Sequence, residues 1–245
     1  MKIVAIIPAR YNSSRLPGKP LKSIEGLPMI IHTLKRTKLC GVLDDVFVAT
    51  DSEKIFDIVE SYSGEAVMTS SKHKTGTDRI AEAAQYIDCD IVVNVQGDEP
   101  LVDPYHILLA VRPLILHNDI NVSTLLCKTT RFNDPTECKV VMDTNSDILY
   151  MSREDIPSNL FKKQTGLIKL YCIVPFRKDF LLSFASWKQT PLELIEHIEY
   201  LRIIENGYKI RGIIIDSVAE SVDTPDNLKL VRKIMKNDII KYQYM

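Results

Sequence analysis

Three cations stand within ten residues near the start of the chain: Arg10, Arg15 and Lys19. They follow the apolar run Ile3-Val4-Ala5-Ile6-Ile7, which ends at Pro8, and they sit among Ser13, Ser14, Pro17, Gly18 and Pro20. A buried strand that opens into a cationic loop is how an α/β sheet builds a phosphate site at the carboxyl ends of its strands. Gly18 lets the backbone come close, and three cations suit an anion as dense as a nucleoside triphosphate. The spacing is neither that of a Walker A loop nor Gly-x-Gly-x-x-Gly.

A second motif, Val95-Gln96-Gly97-Asp98-Glu99-Pro100, follows another apolar strand and projects its acids at the same sheet edge. Bare carboxylates repel phosphate, so carboxylates beside a polyphosphate site point to a divalent ion between them. Asp98 is the first candidate metal ligand. Asp223, at another strand-to-helix junction, is the second, because Thr224 can cap that helix and leave the Asp223 carboxylate free. A third motif runs from Met68 to Arg79 and places small hydroxyls and Gly76 at a helix start, where backbone N–H groups receive a base or a phosphate. Thr77 is the N-cap expected there.

The elements that must hold these motifs alternate in the first half. Strands are expected at 3–7, 46–50, 65–68 and 90–95, with helices at 28–39, 53–60, 77–87 and 104–116; Asp51-Ser52 caps the second helix. Such an order predicts an α/β fold with a doubly wound, mostly parallel sheet. The middle differs: β-rich runs at 122–127, 138–142, 148–151 and 168–174 predict an antiparallel insertion spanning 121–175 within a single domain of residues 1–245. One helix is expected over 191–206, with Leu192, Ile195, Ile198 and Leu201 on one face and Gly207 as its stop. A strand at 209–215 and a final helix opened by Asp223-Thr224-Pro225-Asp226 follow, and residues 236–245 are expected to fray.

Composition sets outer bounds. At 245 residues and a net charge of −1, the chain can bury a full core and has no basic excess to suggest nucleic acid. Five scattered cysteines without a Cys-x-x-Cys pair predict neither a disulfide framework nor a zinc knuckle, and reduced thiols fit the cytoplasm. No apolar run approaches the ~20 residues that span a bilayer, and no signal peptide is expected.

The run Ile6-Ile7-Pro8-Ala9-Arg10-Tyr11 through Arg15-Leu16-Pro17-Gly18-Lys19-Pro20 closely resembles the 3-deoxy-manno-octulosonate (KDO) cytidylyltransferase family. Val48-Ala49-Thr50-Asp51, His73 to Arg79, Asn94 to Pro100, Ser152 to Pro157, Pro191-Leu192-Glu193 and Val222-Asp223-Thr224-Pro225 resemble that family's later blocks in the same order. The resemblance implies a fold like that of nucleotide-diphospho-sugar transferases. It implies CMP transfer from CTP to a 3-deoxy-ulosonic sugar acid, release of pyrophosphate, magnesium as cofactor, lipopolysaccharide biosynthesis and a homodimer joined through the β-rich insertion. By position it implies that Arg10, Arg15 and Lys19 hold the triphosphate, that Asp98 and Asp223 bind the metal, and that these five form the catalytic set. Pro8, Ala9, Thr75, Gly76 and Gln96 would contact the nucleotide, and Gln96, Arg153, Glu193 and Glu196 the acceptor.

Two positions depart from the family pattern. Leu170 stands where the family usually has the His of His-Leu-Gly or His-Ile-Gly, and Leu194 where Pro-Leu-Glu-His is common. A donor that pairs with a substrate hydroxyl or carboxylate is not replaced by Leu without changing what the pocket accepts. His197, three residues on, is expected near the same helix face. Three readings stay open: transfer to KDO itself, transfer to another acid (a different nonulosonic acid or a phosphonate), or a nucleotide-binding homologue without catalysis.

Overall fold

A computed structural model describes residues 1–245 except Ser14, Asn159 and Cys172. In chain order its elements are β1 (Ile3–Ala9), the short pair β2 (Ser23–Ile24) and β3 (Leu27–Pro28), α1 (Met29–Lys38), β4 (Asp45–Thr50), α2 (Glu53–Ser61), β5 (Glu65–Met68), α3 (Gly76–Gln85) and β6 (Ile91–Val95). Next come α4 (Pro104–Leu116), β7 (Ser123–Thr129), β8 (Lys139–Met142), β9 (Ile148–Ser152), β10 (Leu167–Tyr171), β11 (Ile173–Arg177) and α5 (Lys178–Ser186). The chain ends with α6 (Pro191–Glu196), α7 (Leu201–Glu205), β12 (Arg211–Ile215) and α8 (Pro225–Met235).

The chain forms two compact units, Met1–Leu108 with Ala219–Met245, and Leu109–Val218. The first holds parallel strands in the order β6-β1-β4-β5. Central β1 and β6 are buried almost throughout, which is why they read as nearly continuous apolar runs rather than alternating ones. A cluster of Leu16, Ile24, Met29, Leu101, Val222, Leu228, Val231 and Met235 ties the loop after β1 to the returning chain and α8.

The second unit carries a five-stranded sheet, β12-β7-β10-β8-β9, in which only β12 and β7 run parallel. It is larger than the expected 121–175 insertion because β12 pairs with β7 over five residues and brings the intervening helices into the same unit. The expected 168–174 strand is two strands, β10 and β11; Cys172, which falls between them, lies outside the described residues. α5 has no counterpart among the expected elements.

The helix expected over 191–206 is two helices. His197 adopts a left-handed φ of 53° at the end of α6 and breaks the run, so Ile195 is 73 % exposed rather than on an apolar face. His197 therefore does not share a helix face with Leu194. The N-cap of α3 is Thr75, not Thr77: its hydroxyl accepts from Asp78 N, and the Asp78 carboxylate in turn accepts from Thr75 N. Ser52 occupies the N-cap of α2, but its side chain makes no capping bond. The C-terminal residues do not fray. A 3-10 turn over Ile240–Gln243 buries Lys241, and Tyr244 Oη lies 2.8 Å from His32 Nδ1.

Candidate active site

One cleft of the first unit is lined by Pro8, Ala9, Arg10, Arg15, Lys19, Thr75, Gly76, Gln96, Asp98 and Asp223. The structure thus brings together every sequence-selected residue of that unit. Parallel pairing does the placing: β1 and β6 are neighbours, so the loops after Ala9 and Val95 leave the sheet at one edge. Gly97 is required there, since a Cβ would stand 2.6 Å from Pro8 O. Gly18 has φ 65°, the left-handed region that glycine enters without strain, and it turns the loop into the short helical turn bearing Lys19. Asp223 arrives from the far end of the sequence because Val222 N donates to Asp98 O at 2.9 Å. Thr224 caps α8 by accepting from Asn227 N, which leaves the Asp223 carboxylate out of the cap.

The opposite charges meet directly. Lys19 Nζ donates to Asp98 Oδ2 at 2.6 Å and to Asp223 Oδ1 at 3.4 Å, and Arg15 Nη2 donates to the same Asp223 oxygen at 2.9 Å. The ammonium of Lys19 is largely shielded, whereas the Arg15 side chain is 63 % exposed. Two carboxylates converging on one cation are too few for an all-protein metal cage, and among the described residues no group of three or more His, Cys, Asp or Glu could form one. They do suit a small divalent ion that takes one or two carboxylates and fills its shell with water and substrate phosphate oxygens.

The 68–79 motif contributes further lining residues that carried no expected site role. Arg79 and His73 also face the cleft. Buried Arg79 donates to Thr69 Oγ1 at 2.6 Å and to Asp51 Oδ2 at 2.9 Å, so Asp51 anchors an arginine instead of capping a helix. His73 Nε2 bonds Glu82 on α3, which also accepts from Ser70 N. Burial alone would raise the Glu82 carboxyl, but the His73 and Ser70 hydrogen bonds outweigh it and hold it below its ordinary value. The signal for this loop was the Thr75-x-x-Asp78 capping box.

Residues 4–210 match the family model described as cytidylyltransferase. The chain is 44 % identical to a 3-deoxy-manno-octulosonate cytidylyltransferase of Geobacter metallireducens, an alignment covering 98 % of this chain and 100 % of the relative. It is 45 % identical to that of Syntrophotalea carbinolica, over 93 % and 96 %. The chain belongs to the 3-deoxy-manno-octulosonate cytidylyltransferase family. As a cytidylyltransferase it is an enzyme, a CTP-dependent nucleotidyltransferase. A solved CMP:2-keto-3-deoxy-manno-octonic acid synthetase complexed with CTP matches its fold with a TM-score of 0.93 at 35 % identity, covering 96 % of this chain and 99 % of that one.

The remaining residues that the family pattern selects lie in the second unit. Glu193 is not placed as an acceptor contact. It is 3 % exposed, and its carboxylate accepts from Arg202 Nε and Nη2 at 2.8 and 2.6 Å and from Thr190 N at 3.2 Å. Burial pushes this carboxyl up, yet the Arg202, Gln189 and Thr190 hydrogen bonds prevail and hold it low. Its role is internal, stapling α6 to α7. Glu196 accepts from Ser152 Oγ, Tyr150 Oη and Arg153 N at 2.8 to 3.1 Å. The Arg153 guanidinium meets the carbonyls of Thr136, Glu196 and His197. Leu170 lies part-buried on β10 opposite Leu126, and Leu194 is 52 % exposed on α6.

Proposed function

We propose that this chain transfers CMP from CTP to 3-deoxy-manno-octulosonate and releases pyrophosphate. The observation that carries the reading is the meeting of Lys19 and Arg15 with Asp98 and Asp223 in one cleft. A hydroxyl of the acceptor attacks the α-phosphorus and releases its proton to solvent, while the bond from the α-phosphorus to the bridging oxygen breaks and pyrophosphate departs with that oxygen. Arg10, Arg15 and Lys19 hold the triphosphate and neutralise charge that grows on the departing pyrophosphate. Pro8, Ala9, Thr75, Gly76 and Gln96 wall the side of the cleft assigned to the nucleoside. Asp98 and Asp223 would hold magnesium, which when bound supplies charge neutralisation on the phosphates and lowers the pKa of a coordinated hydroxyl.

The acceptor is tested by pyrophosphate release from CTP with magnesium and a panel of acids. Turnover with KDO supports the reading. Turnover only with a different nonulosonic acid or a phosphonate moves the acceptor, as Leu170 in place of a family His would favour. CTP binding without turnover on any acid leaves a nucleotide-binding module. The same reading extends to a cytoplasmic homodimer serving lipopolysaccharide biosynthesis, with light scattering on the purified chain as the check on assembly. Among the described residues no helix is long and apolar enough to cross a membrane.

A further inference from the structure

All five residues of β6 are buried, and four of them are aliphatic. The fifth, Asn94, has no exposed surface and lies in register with Ile6 of β1, inside the parallel sheet. A buried amide costs stability unless its donors and acceptor are all paired. Asn94 is paired on one side only. Its Oδ1 accepts from Gln96 Nε2 at 3.0 Å, while its Nδ2 meets no partner among the described residues. Gln96 sits two residues further on, where an extended chain returns its side chain to the same face. It lines the cleft, and its Oε1 stands 3.7 Å from the point that a Cβ on Gly76 would occupy. With Nε2 turned back onto Asn94, the carbonyl oxygen is what Gln96 offers beside Gly76.

We propose that Asn94 is a positioning residue that fixes the Gln96 amide so that Oε1, not the NH2, faces the nucleotide. The inference rests on the CTP reading above. An amide has two orientations of nearly equal shape and opposite hydrogen-bonding character. Free to turn, Gln96 would set a donor against a donor in half of its encounters. Held by Asn94, it presents an acceptor to an N–H or O–H in the uncharged part of the ligand, which in a cytidine nucleotide means the cytosine amine or a ribose hydroxyl. The unpaired Asn94 Nδ2 is the stability given up for this orientation, as is common where a site departs from the rules of a well-satisfied core.

The test uses the full chain with Asn94→Leu, Gln96→Ala and the double variant. Affinity for CTP, UTP and 2′-deoxy-CTP is measured by titration calorimetry, and the melting midpoint is recorded alongside. Asn94→Leu should weaken CTP about three- to tenfold, the worth of one neutral hydrogen bond, and Gln96→Ala should do the same. The double variant should bind no more weakly than Gln96→Ala, because both changes remove one contact. The melting midpoint of Asn94→Leu should hold or rise. The analogue for which Gln96→Ala carries no penalty identifies the donor. Should Asn94→Leu misfold, Asn94→Asp keeps the oxygen that Gln96 reaches and should bind CTP more tightly than Asn94→Ala. Unchanged CTP affinity in Asn94→Leu, or additive losses in the double variant, overturns the assignment. A wild-type chain that binds none of the three nucleotides overturns the CTP reading beneath it.

Discussion

Lys19 has two jobs that compete. Its ammonium rests on Asp98 and Asp223, yet the proposed chemistry needs the ammonium on the triphosphate and the carboxylates on a divalent ion. Removing the lysine should therefore separate the two. Lys19→Ala is expected to lower kcat/KM by about 10²–10³, the range found when one preorganised charge is lost from a transition state. In the absence of nucleotide it should bind manganese more tightly than the wild type, read by electron paramagnetic resonance. Equal manganese affinity in the two proteins would separate Lys19 from the carboxylates. Asp98→Asn should abolish turnover while circular dichroism and the melting midpoint stay close to wild type, since the lost pair is partly solvated. At this scale the sequence was most readable where a residue's type announces its chemistry: Arg10, Arg15, Lys19, Asp98 and Asp223 were identifiable as charges at strand ends. It was least readable where the chemistry depends on a partner. Glu193 is expected at the acceptor and Asp51 at a helix cap, whereas folding sets Arg202 and Arg79 beside them.

At the scale of elements, the paired helices α6 and α7 carry the largest local stake. Glu193 and Arg202 are both nearly excluded from solvent, so removing one strands the other. Arg202→Ala should cost roughly 3–5 kcal/mol in denaturant unfolding, far more than a surface pair would. The pH dependence has a definite sign. The folded Glu193 carboxyl sits below its ordinary 4.5, so its contribution is present above that value and is lost as pH falls below it. Melting curves of the wild type and Glu193→Gln should converge on acidification; a gap that is constant with pH would remove Glu193 as its source. The central strands β1 and β6 were legible because burial on both faces writes itself as mostly aliphatic runs. The split between α6 and α7 was not, since apolar periodicity runs through His197 and only its backbone angle interrupts it. β1 extends past Pro8 to Ala9 for a related reason: the register with Ala49 and Thr50 persists although proline cannot donate to it.

At the scale of the whole molecule, the first unit is discontinuous in sequence. Its core includes Val222, Leu228, Val231 and Met235 from the returning segment, and its site includes Asp223. That return could not be read from composition, because α8 looks like any amphipathic helix until its partners near Leu16 are known. Cys40, Cys89, Cys127 and Cys138 are buried in their units, and burial pushes the Cys138 thiol up to about 12. These four should therefore resist alkylation at pH 8 in the native protein and react together through the unfolding transition, followed by peptide mass spectrometry. Rapid native labelling of Cys138 would contradict its placement.

The pairing of Lys19 and Arg15 with Asp98 and Asp223 also bears on what the cleft ignores. A loop rich in cations would ordinarily collect sulfate, inorganic phosphate and every passing polyanion. Here two of the cations already have internal counterions, and an arriving anion must compete with carboxylates held at 2.6 and 2.9 Å. A ligand that brings a divalent ion of its own would meet no such opposition: Asp98 and Asp223 would hold the metal, and Lys19 and Arg15 would be freed for the phosphates. With magnesium on Asp98 and Asp223 as proposed, the resting cleft would work as a filter that favours a metal–nucleotide complex over bare anions.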